Sequence, residues 1–346
     1  MSAQAPAIVF DQDAIRRAVN ATLTDFLADQ SRSAHHRGLP QQAAQALSGF
    51  LSSGGKRIRP VLCVAGWQAA GGTGAPGPVI KAAASLEMFH AFALIHDDII
   101  DASDTRRGQP TVHRQVSTEA AILIGDLALV FADDLLHSAG LTPAQLATAL
   151  PIANTLRADT IYGQYLDISH SGQPTADPDP ALAITRYKTA KYTVEGPLLL
   201  GAALASIPGS NTCTPTLTSY GIPVGEAFQL RDDLLGVFGN PGDTGKPALD
   251  DLREGKATVL MALGLQNATP AQHRTLRRHV GNPRLTHDDA DQVRIVLTDT
   301  GARTAVEDMI AHRRQSALTT LDTADLPPHI TAELRSLAFS ATARTT

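Results

Sequence analysis

Two short acidic stretches contain the residues best suited to bind metal ions. HDDIID places Asp97, Asp98 and Asp101 within five positions, and QLRDDLLG supplies Asp232 and Asp233 much later in the chain. On a helix Asp97 and Asp101 point the same way, with Asp98 about 100° round. Crowded carboxylates either point into water, as at a solvated helix end, or hold cations, and hard oxygen ligands suit Mg²⁺. Two such edges facing each other would bind metal ions that in turn bind a diphosphate.

Positive charge occurs where such a scheme requires it. GGKRIRP opens a helix with Lys56, Arg57 and Arg59 after two glycines, which favours phosphate binding by forked side chains and backbone amides. Other basic residues follow the first acidic stretch, flank Thr189 in YKTAKY or lie near glycine-rich turns: Arg106, Arg107, Lys188, Lys191, Lys246 and Lys256. Each alone would be ordinary surface charge. Together with the acidic stretches they predict two anionic substrates.

One histidine is placed to join these groups. His90 precedes Asp97 and Asp101 by seven and eleven positions, so on a helix it points toward the same end of the site. A histidine of the core is the alternative for His90, and it is the interpretation that we adopt for His96.

Helical segments must position these side chains. Helical periodicity with Ala and Leu enrichment predicts helices over 11–31, 41–53, 60–70, 79–104, 117–139, 142–169, 180–206, 217–238, 255–267, 270–281, 286–300, 302–322 and 329–343. No run of alternating β-branched residues competes, and no linker is long enough to separate two cores. The 346 residues, 43% of them hydrophobic, therefore predict one all-α domain over 1–346, with 1–8 disordered.

Composition excludes several classes of protein. The formal charge of −5 and the lack of a Lys/Arg-rich block argue against a nucleic-acid partner. Cys63 and Cys213 form no CxxC pair, which fits a reducing cytoplasm. No signal peptide is recognisable, and the most apolar run, 197–207, is far shorter than the roughly 20 residues of a spanning helix. We expect a soluble cytoplasmic protein with no membrane span.

From residue 50 to about 262 the motifs resemble, in order, those of the trans-isoprenyl diphosphate synthase (polyprenyl synthetase) family. They are GGKRIRP, EMFHAFALIHDDIID, DTRRGQPTVH, GQYLDI, YKTAKYTVEGPLLLGA and FQLRDDLLGVFGNPGDTGKP. The resemblance implies the isoprenoid synthase fold, a single large helical bundle around a deep central cavity, as a homodimer. It also implies that isopentenyl diphosphate is joined to an allylic diphosphate (dimethylallyl, geranyl or farnesyl) by ionisation, condensation and elimination.

The resemblance also assigns roles to individual residues. Metal ligands are Asp97, Asp98, Asp101, Asp232 and Asp233, holding three Mg²⁺ ions for which Mn²⁺ can substitute. The isopentenyl diphosphate site is Lys56, Arg59, His90 and Arg107. The allylic diphosphate site is Arg106, Lys188, Thr189, Gln229, Lys246 and Lys256. The residues expected to act in catalysis are Asp97, Asp98, Asp101, Arg106, Lys188, Thr189, Asp232 and Lys246.

The second acidic motif departs from the family pattern DDxxD, because Gly236 stands where a third carboxylate is common. We expect activity to survive, with a non-catalytic subunit as one alternative. A terpene cyclase is another, but it would need no isopentenyl diphosphate site, so GGKRIRP and His90 argue against it.

Product length is predicted from the residues that precede Asp97. Each helical turn adds about 5.4 Å of depth, comparable to one isoprene unit. Ala93 is small and leaves the first level open, whereas Phe89, about 80° from Asp97 on the helical wheel, could close the next. Phe92 matches the bulky position of some twenty-carbon synthases by resemblance, although the wheel turns it further away. The prediction is geranylgeranyl diphosphate as the main product, with farnesyl or a longer prenyl diphosphate as the alternative.

Overall fold

The computed structural model describes residues 10–173, 175–205, 213–239 and 249–342. The stretch 1–8, predicted to be disordered, and Lys246 lie outside the described residues. Within them the chain is helical apart from turns and one two-residue strand pair, Thr105–Arg106 (β1) with Gln109–Pro110 (β2). The all-α prediction is confirmed.

The first half of the chain forms α1 (Gln12–His36), α2 (Gln42–Ser52), α3 (Ile58–Ala69), α4 (Gly77–Ile100), α5 (Val112–Gln115), α6 (Thr118–His137) and α7 (Pro143–His170). Side-chain caps fix several starts. Asp11 accepts from the amide of Ala14 at α1, and Thr142 forms a capping box with Gln145 at α7. The helix bounds were predicted from the sequence to within two residues, except that α1 continues to His36, α4 ends at Ile100, and the short α5 was not predicted.

The second half is less regular. It contains α8 (Asp179–Ile184), a π-helical segment (Thr185–Glu195), α9 (Gly196–Ala205), α10 (Thr214–Phe238), α11 (Asp250–Glu254), α12 (Val259–Gln266), α13 (Pro270–His279), α14 (His287–Asp299), α15 (Ala302–Asp322) and α16 (Pro328–Thr342). The single helix predicted over 180–206 is therefore wrong, because eleven of its residues wind as a π-helix. The helix predicted from 255 begins instead at Val259, after the separate α11.

Close helix contacts surround the π-helical segment. It packs against α7 and α10. A β-carbon at Gly163 of α7 would lie 2.3 Å from the backbone nitrogen of Lys188, and one at Gly225 of α10 would lie 2.5 Å from the Cα of Ala190. Only glycine permits backbones to approach this closely. Periodicity in a single sequence does not reveal such contacts, which explains the missed π-helix.

Helix α4 lies at the centre of the first half. It packs against α1, α3 and α6, and most of its residues are buried. By length and composition it could cross a membrane, and it is the one described helix of which this is true, but two-thirds of its apolar stretch is buried among other helices. Core helices of soluble proteins have the same character.

The end of α4 determines how the first acidic motif is presented. The helix ends at Ile100, with Asp101 as its C-cap, rather than at 104 as predicted. The chain then turns into the β1–β2 pair, where Arg107 and Gly108 both have positive φ, at 52° and 73°. Arg106 is directed back toward the end of α4, where it pairs with Asp98, and Arg107 reaches the turn before α3.

Candidate active site

A cavity of about 590 Å³ lies between α3, α4, α7, the π-helical segment and α10. Most of the predicted site residues line it: Lys56, Arg59, His90, Phe92, Ala93, Asp97, Arg106, Arg107, Lys188, Thr189, Gln229 and Asp232. Four others contact the lining residues or lie close to them: Asp98, Asp101, Asp233 and Lys256. The structure thus brings together residues that are far apart in the sequence.

The first acidic edge has two different kinds of carboxylate. Asp98 is only 1% exposed, and both its oxygens lie 2.9 Å from Arg106 Nε, which donates a bifurcated hydrogen bond, so Asp98 orients that guanidinium instead of lining the cavity. Asp97 lines the cavity, 3.2 Å from Lys188 Nζ and 3.6 Å from Arg106 Nη2. Burial raises the pKa of Asp97, but Lys188, Lys256 and Arg106 outweigh it, and the net shift is downward. Asp97 is therefore ionised at neutral pH.

The second acidic edge is on α10. Asp232 lines the cavity, whereas Asp233 is buried and accepts a 2.8 Å hydrogen bond from Gln229 Nε2. Gln229 Oε1 in turn accepts a 2.7 Å hydrogen bond from Thr189 Oγ1. Burial, with the charges of Asp251 and Asp232, raises the pKa of Asp233 to about 7. A cation beside this edge would stabilise the ionised Asp233 carboxylate and offset the effect of its burial.

The donor set fits Mg²⁺ shared with a substrate. Among the residues that the structure describes, no three acidic, histidine or cysteine side chains converge closely enough to hold an ion unaided. Mg²⁺ is commonly bound by one or two carboxylates together with waters and phosphate oxygens, so two partial edges suit it. Asp101 supports this interpretation, because burial and the charge of Asp97 raise the pKa of Asp101 to about 7.

Lysines neutralise part of the acidic charge. Lys188 Nζ lies between Asp97 and Asp167 Oδ2, the latter at 2.5 Å. Lys256 Nζ lies 3.1 Å from Asp251, 3.0 Å from Glu254 and 3.8 Å from Asp101. Burial lowers the pKa of each lysine, but the nearby carboxylates raise it by more, so the net shift is upward and both lysines are charged.

Three of these acidic residues have no role in our sequence analysis: Asp167, Asp251 and Glu254. The only available signal was their position inside or just after the recognised motifs.

A second group of basic side chains also lines the cavity. Arg59 Nη2 donates a 2.8 Å hydrogen bond to Thr193 Oγ1, and its guanidinium lies 4.0 Å from the centre of the Tyr192 ring. Its buried Nε has no acceptor among the described residues. His90 Nδ1 lies 2.6 Å from the Tyr192 hydroxyl. Burial, followed by the charges of Arg59, Arg106 and Arg107, lowers the pKa of His90 well below its ordinary value, so the imidazole is neutral.

Arg57 shapes the turn that carries this group. Its Nη1 lies 2.8 Å from Glu87 in a buried ion pair, and its Nε donates to Asn20 at 2.8 Å. The residue has a φ of 48° and directly precedes α3. It therefore fixes the positions of Lys56 and Arg59. Arg107 contacts the same turn, because its Nη1 donates to the carbonyl of Gly54.

The floor of the cavity differs from the wheel prediction. Phe92 lines the cavity and packs edge-on against His96, with ring centroids 4.8 Å apart. Phe89 is 1% exposed and packs behind it, against Phe92 and Tyr192. The helical wheel gives the direction in which a side chain points around α4, but not the side chains that it meets. Here the Tyr192 ring packs edge-on against Phe89. His96, expected in the core, lines the cavity 3.6 Å from Asp126.

Comparison with known proteins identifies the family. The sequence model of the polyprenyl synthetase family matches residues 40–296. A geranylfarnesyl diphosphate synthase of Aeropyrum pernix is 32% identical over 76% of this chain and 81% of its own. A geranylgeranyl diphosphate synthase of Saccharolobus solfataricus is 33% identical over 72% of this chain and 74% of its own.

A solved structure gives the same result for the fold. The crystal structure of a Corynebacterium glutamicum geranylgeranyl pyrophosphate synthase, complexed with isoprenyl diphosphate and magnesium, is 42% identical. It superimposes with a TM-score of 0.91 over 96% of this chain and 99% of that chain. The predicted isoprenoid synthase fold and prenyltransferase class are confirmed, and the chain belongs to the polyprenyl synthetase family.

Proposed function

We propose that the protein is a Mg²⁺-dependent geranylgeranyl diphosphate synthase that condenses isopentenyl diphosphate with allylic diphosphates. The observation that supports this most directly is the division of one cavity. Asp97, Asp232 and Lys188, called the acidic wall below, and Arg59 and His90, called the cationic wall, all line it, and His90 lies about two helical turns before Asp97 on α4. Such a cavity accepts two anionic substrates and keeps their charged ends apart.

The acidic wall promotes departure of the allylic diphosphate. Bound Mg²⁺, held by Asp97, Asp101 and Asp232, supplies Lewis-acid stabilisation of the charge that grows on the leaving group. Lys188, Arg106 and Lys256 add fixed positive charge, which needs little reorganisation during the reaction. The allylic C–O bond breaks and leaves a delocalised carbocation. The Thr189 hydroxyl and the Gln229 amide present neutral dipoles near it.

The cationic wall positions the nucleophile. Arg59 lines the cavity, and its forked guanidinium is suited to bind diphosphate oxygens. Lys56, Arg107 and neutral His90 line the same region. The π-bond of isopentenyl diphosphate attacks the carbocation, and a proton then passes to the departed diphosphate. No nucleophilic side chain takes part.

Several finer points belong to this proposal. We propose three Mg²⁺ ions per site with Mn²⁺ as a substitute, cytoplasmic localisation without a membrane span, and no nucleic-acid partner. We also propose a homodimer. The exposed side chains Leu123 and Val130 lie two turns apart on one face of α6, with the partly buried Leu127 between them, and such an apolar stripe supports a self-association surface.

Product analysis tests the proposal. Purified protein is incubated with Mg²⁺, isopentenyl diphosphate and, separately, dimethylallyl, geranyl or farnesyl diphosphate, and the products are sized by chromatography. We expect a twenty-carbon diphosphate as the main product from each primer. A cyclic hydrocarbon formed without isopentenyl diphosphate would identify a terpene cyclase, and no turnover with any primer would identify a non-catalytic subunit.

A further inference from the structure

Gly236 lies where the second acidic motif lacks its third carboxylate, and the space beside it is filled. A β-carbon built on Gly236 would lie 1.8 Å from Oδ2 of Asp251 and 2.9 Å from its Cγ. Any side chain at position 236 would therefore have to displace the Asp251 carboxylate. The carboxyl group beside position 236 therefore belongs to Asp251 of α11, and not to a residue of α10.

The same carboxylate is connected to both acidic edges. Its Oδ1 accepts a 3.1 Å hydrogen bond from Lys256 Nζ, which lies 3.8 Å from Asp101 Oδ2 in the first edge. On the other side, Asp251 is close enough to the buried carboxyl of Asp233 for its charge to raise that pKa. Asp251 thus lies between the two edges that face the cavity.

Glycine at position 236 is unfavourable for the stability of helix α10. The residue lies within α10, where glycine is less favourable than alanine because it loses more backbone freedom on folding. The position of Asp251 gives the compensating reason, since alanine would overlap its carboxylate.

We propose that Asp251 replaces the missing third carboxylate of the second acidic motif and helps to hold the metal ions that bind the leaving diphosphate. The inference rests on the proposed function and extends it to a residue outside both motifs. Asp251 acts on the ions directly or through a bound water, and at the same time orients Lys256.

Metal binding, rather than turnover, separates this role from a structural one. Each variant is titrated with Mn²⁺ in the presence of inorganic pyrophosphate, and free Mn²⁺ is measured by electron paramagnetic resonance. We expect Asp251→Asn to weaken Mn²⁺ binding by about 10- to 100-fold, the range for partners of metal ligands. Asp250→Asn is the matched control on the same helical turn, with its carboxylate 3.8 Å from Arg253, and should bind as wild type does.

A double variant that moves the carboxylate from position 251 to position 236 makes the test specific. Gly236→Asp combined with Asp251→Gly moves the carboxylate from α11 to α10 and should restore most of the Mn²⁺ affinity. Gly236→Ala keeps Asp251 but displaces its carboxylate, so it should weaken Mn²⁺ binding while favouring the helix, and it serves if the double variant does not fold.

Asp232→Ala is the reference for the metal site itself and should also weaken binding. If Asp232→Ala weakens Mn²⁺ binding and Asp251→Asn does not, Asp251 is only a partner of Lys256 and the inference is wrong. If neither variant weakens it, the metal site of the proposed function is wrong as well.

Discussion

Individual carboxylates and cations in the cavity keep one another charged. Lys188 lowers the pKa of Asp97 against the effect of burial, and Asp97 together with Asp167 raises the pKa of Lys188. A buried charge without its partner is costly, because burial penalises the ionised form. The removal of one group should therefore affect its partner as well as the substrate.

The aspartates of both edges should be essential for turnover. Asp97→Ala and Asp232→Ala remove carboxylates that line the cavity, so we expect turnover to fall by orders of magnitude while circular dichroism remains that of a helical protein. Asp104→Ala is the control from the same acidic stretch, since Asp104 is exposed and pairs with Arg114 at 2.7 Å. Wild-type turnover in either cavity variant would contradict the assignment.

The basic residues should divide by substrate. Arg59→Ala should chiefly raise the KM for isopentenyl diphosphate, whereas Lys188→Ala should chiefly lower kcat and affinity for the allylic partner, and Lys246→Ala should behave like Lys188→Ala. Steady-state kinetics with each substrate varied in turn gives both values. Lys191→Ala is the control on the π-helical segment, because Lys191 pairs with Asp159 at 2.6 Å. Equal effects on both substrates would rule out the division.

His90 should make the folded protein sensitive to acid. The folded pKa lies well below the ordinary 6.5, so below pH 6.5 the unfolded chain binds a proton that the folded one does not. The free energy of unfolding therefore decreases as the pH is lowered below 6.5, by up to about 1.4 kcal/mol per pH unit. In urea unfolding at pH 7.5 and 5.5, wild type should lose about 1 kcal/mol more than His90→Gln. His137→Gln is the matched exposed control, and an identical loss in His90→Gln would contradict the assignment.

At the scale of elements, the π-helical segment brings substrate-facing residues together. Lys188, Thr189, Tyr192 and Thr193 all line the cavity from this one segment. The i→i+5 bonding of a π-helix changes the angular spacing of side chains relative to an α-helix. The segment keeps this conformation where α7 and α10 approach it through glycines.

Gly163→Ala should disturb that approach. Its β-carbon would lie 2.3 Å from the Lys188 backbone nitrogen, so we expect a loss of about 1–3 kcal/mol in unfolding free energy and a lower kcat as Lys188 shifts. Gly49→Ala in α2 is the control, since nothing lies within 4 Å of its β-carbon. It should leave kcat unchanged and stabilise α2 by up to about 1 kcal/mol. The idea fails if the two variants have equal stability and kcat.

At the scale of the whole molecule, the depth of the cavity determines how far a product can grow. Ala93→Phe should shorten the product to about fifteen carbons by filling the first level below Asp97. Phe92→Ala, alone or with Phe89→Ala, should lengthen it beyond twenty. Phe89→Ala alone should leave product length unchanged and cost about 3–5 kcal/mol of stability, because Phe89 packs behind the wall. Product sizing of the four variants is the measurement, and indifference of length to Phe92 and Ala93 would place the floor on another helix.

The sequence by itself determined the helical class, the motif order and twelve of the residues that line the cavity. Helical periodicity is local, and the spacing of Asp97, Asp101 and His90 on one helix fixes their common direction. A resemblance spread over six motifs fixed the family, and its residue assignments needed no coordinates.

Only the tertiary structure decided features that depend on neighbours from distant parts of the chain. The π-helix is packed closely at Gly163 and Gly225, and Phe89 packs against both Tyr192 and Phe92. The carboxylate of Asp251 beside Gly236 belongs to the same class. These features arise because burial, close packing and charge pairing act between residues that are remote in sequence, where local patterns hold no information.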